Sequence, residues 1–164
     1  MTLQNNILKR VWHWTLLLFF LFSACKSTKM QANLFGEQDY RNLTNNKECL
    51  WLNEPLPQLD AIITEQLRIK HPENYQYKIY LGCWCSDSKK LIPSFEAIKK
   101  EFQIPDKQLR YFSLDIDKKS PGKTEEADGI EYIPTIIILK NGKEIGRIIE
   151  IADPNLETVL LGLL

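Results

Sequence analysis

Residues 77–102 constrain the architecture more than any other stretch of this chain. Tyr77-Lys78-Ile79-Tyr80-Leu81 is a β-prone run, and beyond Ser86 the apolar residues Leu91, Phe95, Ile98 and Phe102 recur at intervals of four, three and four. The first pattern reads as a strand, and the second places one buried stripe along a helix. Only Gly82-Cys83-Trp84-Cys85 stands between them. A strand that turns so abruptly into a helix delivers Cys85 to the helix N-terminus. There, unsatisfied N–H groups and the helix dipole favour negative charge on sulfur. Ser86 or Asp87 is expected to cap this helix.

The flanking patterns complete an alternating α/β chain. Cys49-Leu50-Trp51-Leu52 is a short apolar run expected as an edge strand, and residues 57–70 are expected as a helix ended by His71-Pro72. Leu109 to Ile116 alternates as a strand, and Lys118 to Glu126 is a charged connection. Ile133 to Leu139 and Lys143 to Ile151 read as strands joined by Asn141-Gly142, a strong hairpin signal. A C-terminal helix starts at Asp153 or Pro154 and carries Leu156, Val159, Leu160 and Leu163. A parallel βαβ core followed by an antiparallel hairpin predicts a mixed sheet with helices on both faces. With 44% hydrophobic residues and a formal net charge of +0, the composition supports a packed core and offers no electrostatic case for nucleic acid.

The N-terminus has a different character. Lys9 and Arg10 precede an apolar stretch, Val11 to Leu21, which is shorter than the roughly 18–20 residues that span a bilayer. It reads as the apolar region of a signal peptide. Phe22-Ser23-Ala24-Cys25 follows and resembles the lipobox of bacterial lipoproteins, although leucine usually stands where Phe22 does. That resemblance implies cleavage before Cys25, lipid on Cys25 and anchoring in the cell envelope, facing the periplasm or exterior. An ordinary secretory signal and a short uncleaved anchor are the alternatives. The expected organisation is a signal peptide over 1–24, a lipidated N-terminus and polar linker over 25–46, and a folded domain over 47–164. Each cleaved-signal reading places the domain where disulfides persist. With Cys25 lipidated, Cys49, Cys83 and Cys85 remain, an odd set that leaves one thiol over.

Four landmarks in this order carry a further resemblance. Trp84-Cys85 sits at the strand-to-helix junction, and Pro93 lies in the helix that follows. Gly129-Ile130-Glu131-Tyr132-Ile133-Pro134-Thr135 and Lys140-Asn141-Gly142-Lys143 come after them. Together they resemble the thioredoxin superfamily over about residues 75–164, and more loosely over 48–75. The resemblance implies a mixed sheet sandwiched between helices and thiol–disulfide exchange on envelope protein thiols or disulfides. It makes Cys85 the attacking sulfur, Trp84, Ser88 and a cis Pro134 the supports of the site, and calls for no cofactor or metal.

The sequence departs from that family at three places. Ser88 stands where the second cysteine of Cys-x-x-Cys would be, Ile79 where a buried acid is common, and Glu150 where a groove glycine is common. Cys83 is the candidate resolving thiol in place of residue 88. Three fates are open to it: a bond to Cys85, a structural bond to Cys49, or simple packing. Two other functions stay in view. A redox-silent module would bind a peptide or partner protein through the Trp84/Pro134 groove. His71, Cys83 and Cys85 would make a soft donor set for Cu(I), with a spacing unlike a zinc site.

Overall fold

The computed structural model describes residues 34–150, 153 and 155–164. The expected signal peptide, Cys25 and the first part of the expected linker lie outside the described residues. The elements run β1 (Gly36–Gln38), α1 (Tyr40–Asn45), a 3-10 helix (Lys47–Asn53), α2 (Ala61–Arg68), β2 (Gln76–Leu81), α3 (Ser86–Glu101), β3 (Leu109–Ser113), α4 (Thr124–Ala127), β4 (Thr135–Lys140), β5 (Lys143–Ile149) and α5 (Leu156–Leu163).

The sheet order is β1-β3-β2-β4-β5. β2 and β3 are parallel, with Ile79 opposite Tyr111, while β4 pairs antiparallel with both β2 and β5. This is the expected parallel pair plus hairpin. Asn141 and Gly142 both take positive φ, 54° and 77°, as a two-residue hairpin turn with the right twist requires.

Alternation along the strands divides the core between two faces. Tyr77, Ile79 and Leu81 point to the larger cluster, where Leu67 of α2, Leu91, Ile92, Phe95 and Ile98 of α3, and Leu156 and Leu160 of α5 meet them. Tyr80, Phe112 and Ile137 point the other way and join Leu114 and Ile133 in a smaller cluster. On that face the Tyr80 hydroxyl donates to Asp128 at 2.6 Å, just beyond α4, and Lys78 pairs with the same carboxylate at 2.7 Å.

The folded unit begins earlier than the sequence suggests. Residues 36–45, expected as linker, supply β1 and α1. β1 pairs antiparallel with β3, and Glu37 takes a two-pronged contact from Arg110 at 2.7 Å on each prong. A three-residue polar edge strand has no apolar periodicity to announce it; backbone pairing and one ion pair place it. The expected strand at Cys49-Leu52 is a 3-10 helix instead, capped by the Asn46 side chain on the Glu48 amide. Its apolar residues, Cys49 and Leu52, are buried against the larger cluster rather than added to a sheet edge. α2 is shorter than expected because Asp60 caps it, accepting from the amides of Ile62 and Ile63.

Candidate active site

The turn between β2 and α3 is closed by the Cys85 amide, which donates to the Gly82 carbonyl at 3.0 Å. Cys85 is itself the N-cap of α3, with no side-chain capping bond. Ser86 and Asp87, expected as caps, fall one and two residues inside the helix, where Asp87 pairs with Lys90 at 3.1 Å. The cap position puts the Cys85 sulfur beside the unsatisfied first-turn amides of a 16-residue helix. Pro93 lies inside that helix and removes one donor from its ladder.

Cys85 is the free thiol among the described cysteines, and only 7% of its surface is exposed. Its Sγ–H donates to the Ile133 carbonyl at 3.5 Å. Ile133-Pro134 is a cis peptide bond, as expected for Pro134. The sulfur therefore lies between the helix start and the segment entering β4. Trp84 forms one wall. Its ring packs with the smaller cluster and its Nε1–H donates to the Leu114 carbonyl at 3.1 Å. In the segment before Pro134, the Glu131 carbonyl accepts from the Lys118 ammonium at 2.9 Å, which lies 5.1 Å from the centre of the Tyr132 ring. Gly82 is required by close approach: a Cβ there would sit 2.9 Å from both Ile133 Cδ1 and the Trp84 ring.

Ser88 is fully buried, and its Oγ accepts the Gly82 amide at 3.2 Å. The hydroxyl that replaces the expected second sulfur thus ties the turn together.

Cys83 is bonded to Cys49. Of the three fates open in the sequence, the structural bond is the one formed. Cys83 belongs with Cys49 to the larger core cluster, whereas Cys85 belongs to the smaller one. In this arrangement the Cys83 sulfur is engaged with Cys49 and not with Cys85, the turn into α3 having carried the two cysteines to different clusters. The Cu(I) set is not assembled either. The Cys83 sulfur is occupied, and exposed His71 engages Glu73 at 3.0 Å through Nδ1.

Two residues outside the expected site, Trp51 and Asn46, converge on Cys83. Trp51 Nε1–H donates to its carbonyl at 3.0 Å, and Asn46 Nδ2 donates to its sulfur at 3.8 Å. The 3-10 helix is thus latched to the active-site turn at one residue. A tryptophan two positions after a cysteine was the only trace of this in the sequence.

Ile79 is fully buried, so no acid stands at its position. One buried acid on that side of the sheet is Glu96 of α3, which accepts from the Tyr111 hydroxyl at 2.6 Å, and Tyr111 is the register partner of Ile79. Burial pushes the Glu96 carboxyl above its ordinary range, against the pull of Tyr111 and Lys99.

A strand, a cysteine-capped helix and a cis-proline segment closing over the sulfur define a thioredoxin-fold thiol site. The thioredoxin family model matches residues 78–160, half of the chain. The chain belongs to the thioredoxin family. It is 37% identical to a thioredoxin of Chlamydia muridarum over 70 residues, which is 43% of this chain and 63% of that one. It is 39% identical to a thioredoxin of Rickettsia prowazekii over 61 residues, 37% of this chain and 53% of that one. The chain thus spans less than two thirds of the length of these relatives. The fold also matches a crystal structure of a protein of unknown function from Pseudomonas aeruginosa, with a TM-score of 0.51 and 13% identity, covering 84% of this chain and 97% of that one.

Proposed function

We propose that this protein carries out thiol–disulfide exchange through Cys85 alone, as an isomerase-like or mixed-disulfide-forming thiol protein. The observation that carries the reading is the position of Cys85: a free thiol capping a long helix, bonded to the carbonyl that precedes a cis-proline. A thiol donates to Ile133; a thiolate has no proton to donate. On ionisation the sulfur gives up that partner, and the first-turn amides of α3 are the donors beside it.

The chemistry is balanced with one sulfur. The Cys85 thiolate attacks one sulfur of a partner disulfide. A Cys85–partner bond forms, the partner's S–S bond breaks, and the displaced sulfur leaves with the electron pair. Release then needs a second thiolate, from the partner itself or from a low-molecular-weight thiol, to attack the mixed disulfide. The first route isomerises the partner; the second reduces it. Cys83 enters only if its bond to Cys49 is first opened.

The lipobox-like Phe22-Ser23-Ala24-Cys25 supports a setting in the cell envelope, anchored by lipid on Cys25 and acting on envelope protein thiols or disulfides. Among the described residues, no helix is long and apolar enough to cross a membrane.

The test is to mix the full-length protein with a peptide disulfide, quench with acid, alkylate, and measure the mixed disulfide by mass. Wild type is expected to form it at Cys85, located by peptide mapping, and Cys85→Ala to form none outside Cys25. Equal adduct in the two overturns the reading. Retained peptide binding without adduct in wild type would instead support the redox-silent module, which the burial of Cys85 favours.

A further inference from the structure

Glu150 ends β5 in the left-handed region, with φ 59°. That conformation strains a residue bearing a long side chain. Five other non-glycine residues share positive φ, namely His71, Gln103, Lys118, Lys123 and Asn141. Glu150 is the one whose own amide is tied to the segment over the thiol, donating to the Pro134 carbonyl at 2.7 Å. Pro134 is joined to Ile133, and the Ile133 carbonyl accepts from Cys85. A short run of bonded contacts therefore ties the Glu150 backbone to the same segment that the reacting sulfur contacts.

The side chain is half-buried, and its carboxylate has neither an ion pair nor a hydrogen bond among the described residues. Two charged residues of the loop after β3 and of the active-site helix are engaged elsewhere. Lys118 is held by the Glu131 carbonyl and the Tyr132 ring, Asp87 is paired with Lys90, and Glu131 and Asp153 are further exposed acids. Exposed Tyr132 and Ile149 flank the same end of the sheet and give an apolar footing to an incoming chain.

We propose that Glu150 is a specificity-determining residue, favouring partner peptides that carry a Lys or Arg side chain next to the reacting cysteine and disfavouring those with an acid there. The inference rests on the reading of Cys85 as the exchanging thiol. A partner ammonium or guanidinium at this rim gains attraction from the carboxylate as the sulfurs meet, whereas an acidic neighbour is repelled.

Two peptides, identical except for Lys or Glu beside their single cysteine, would each be capped with the same aromatic thiol as a mixed disulfide. The Cys85 thiolate attacks the peptide sulfur, the peptide–aryl S–S bond breaks, and the aryl thiolate leaves with the electron pair. Its release is read by absorbance on the full-length protein. A neutral symmetric aryl disulfide, run on wild type and on Cys85→Ala, reports exchange at Cys85 without charge selection. The Lys peptide is expected to react about fivefold faster than the Glu peptide at low ionic strength, and the ratio to fall toward one in 1 M salt. Glu150→Gln should bring the ratio near one at low salt, and Glu150→Asp should restore part of it. Equal wild-type rates, or a ratio unchanged by Glu150→Gln, overturn this inference while exchange at Cys85 stands. If the neutral disulfide reacts equally with wild type and Cys85→Ala, both readings fall.

Discussion

Ser88 shows how one atom redirects this site. It occupies the first turn of α3, buried, and spends its acceptor on the Gly82 amide. The sequence made the missing second sulfur plain, because position 88 is read directly. The partner of the hydroxyl was not legible: a serine there has several donors within reach, and only the closed turn selects the amide six residues earlier. Ser88→Cys places a thiol one helical turn from Cys85. The variant is expected to reduce a peptide disulfide to completion without added thiol, through an internal bond that wild type cannot form. It should lose about 1 kcal/mol with the Gly82 hydrogen bond. The measurements are thiol-free single-turnover reduction and a denaturant titration, and dependence on external thiol equal to that of wild type would sink the expectation.

At the scale of elements, the N-terminal segment is the unexpected part. β1 is polar and short, and the 3-10 helix looked like a strand because an apolar run of four has no decisive period. What fixes both is long-range. β1 pairs with β3, and Cys49, Trp51 and Asn46 all reach Cys83. The disulfide closes a 34-residue separation, so its removal restores loop entropy to the unfolded chain worth about 4 kcal/mol. Cys49→Ser, or its pairing with Cys83→Ser in a double variant, is expected to lower stability by about 3–4 kcal/mol while leaving the free thiol titre at Cys85 intact. Chemical denaturation with thiol counting checks this. The strongest elements were legible throughout: β2, α3 and the β4–β5 hairpin each carry their own signal, as an apolar run, a stripe and an Asn-Gly turn. The starts of α2 and α5 differ from the expected ones by a few residues because Asp60 and Asn155 cap them through side-chain bonds to specific amides.

For the whole molecule, half-buried Asp128 and buried Glu96 shift in opposite directions and so contribute opposite pH dependences. Burial would raise Asp128, but the bonds from Lys78 and Tyr80 hold it below its ordinary value. Its contribution to stability is present above the unfolded value and lost as pH falls through the lower folded one. Glu96 behaves inversely. Its folded carboxyl titrates above the ordinary 4.5, so the native state holds the proton more tightly than the unfolded chain. The stability this gives is full below about pH 4.5 and lost as pH rises through the folded value. Glu96→Gln is expected to flatten the stability profile from pH 4.5 upward, read by denaturant titration at a series of pH values. Parallel profiles for the two proteins would refute it. By itself the sequence determined the α/β order, the thioredoxin-like landmarks and the replacement of the second site cysteine by Ser88. These are local: hydrophobic period, turn chemistry and residue identity need no distant partner. Only the tertiary structure decided which cysteine Cys83 joins and which face of the sheet each sulfur occupies. It also decided where the folded unit begins and brought Glu150 against Pro134, because each of these depends on residues far apart in the chain. The strand Gln76–Leu81 and the helix it turns into were visible from the start; the tie from Cys83 to Cys49, which leaves Cys85 as the free thiol among the described cysteines, was not.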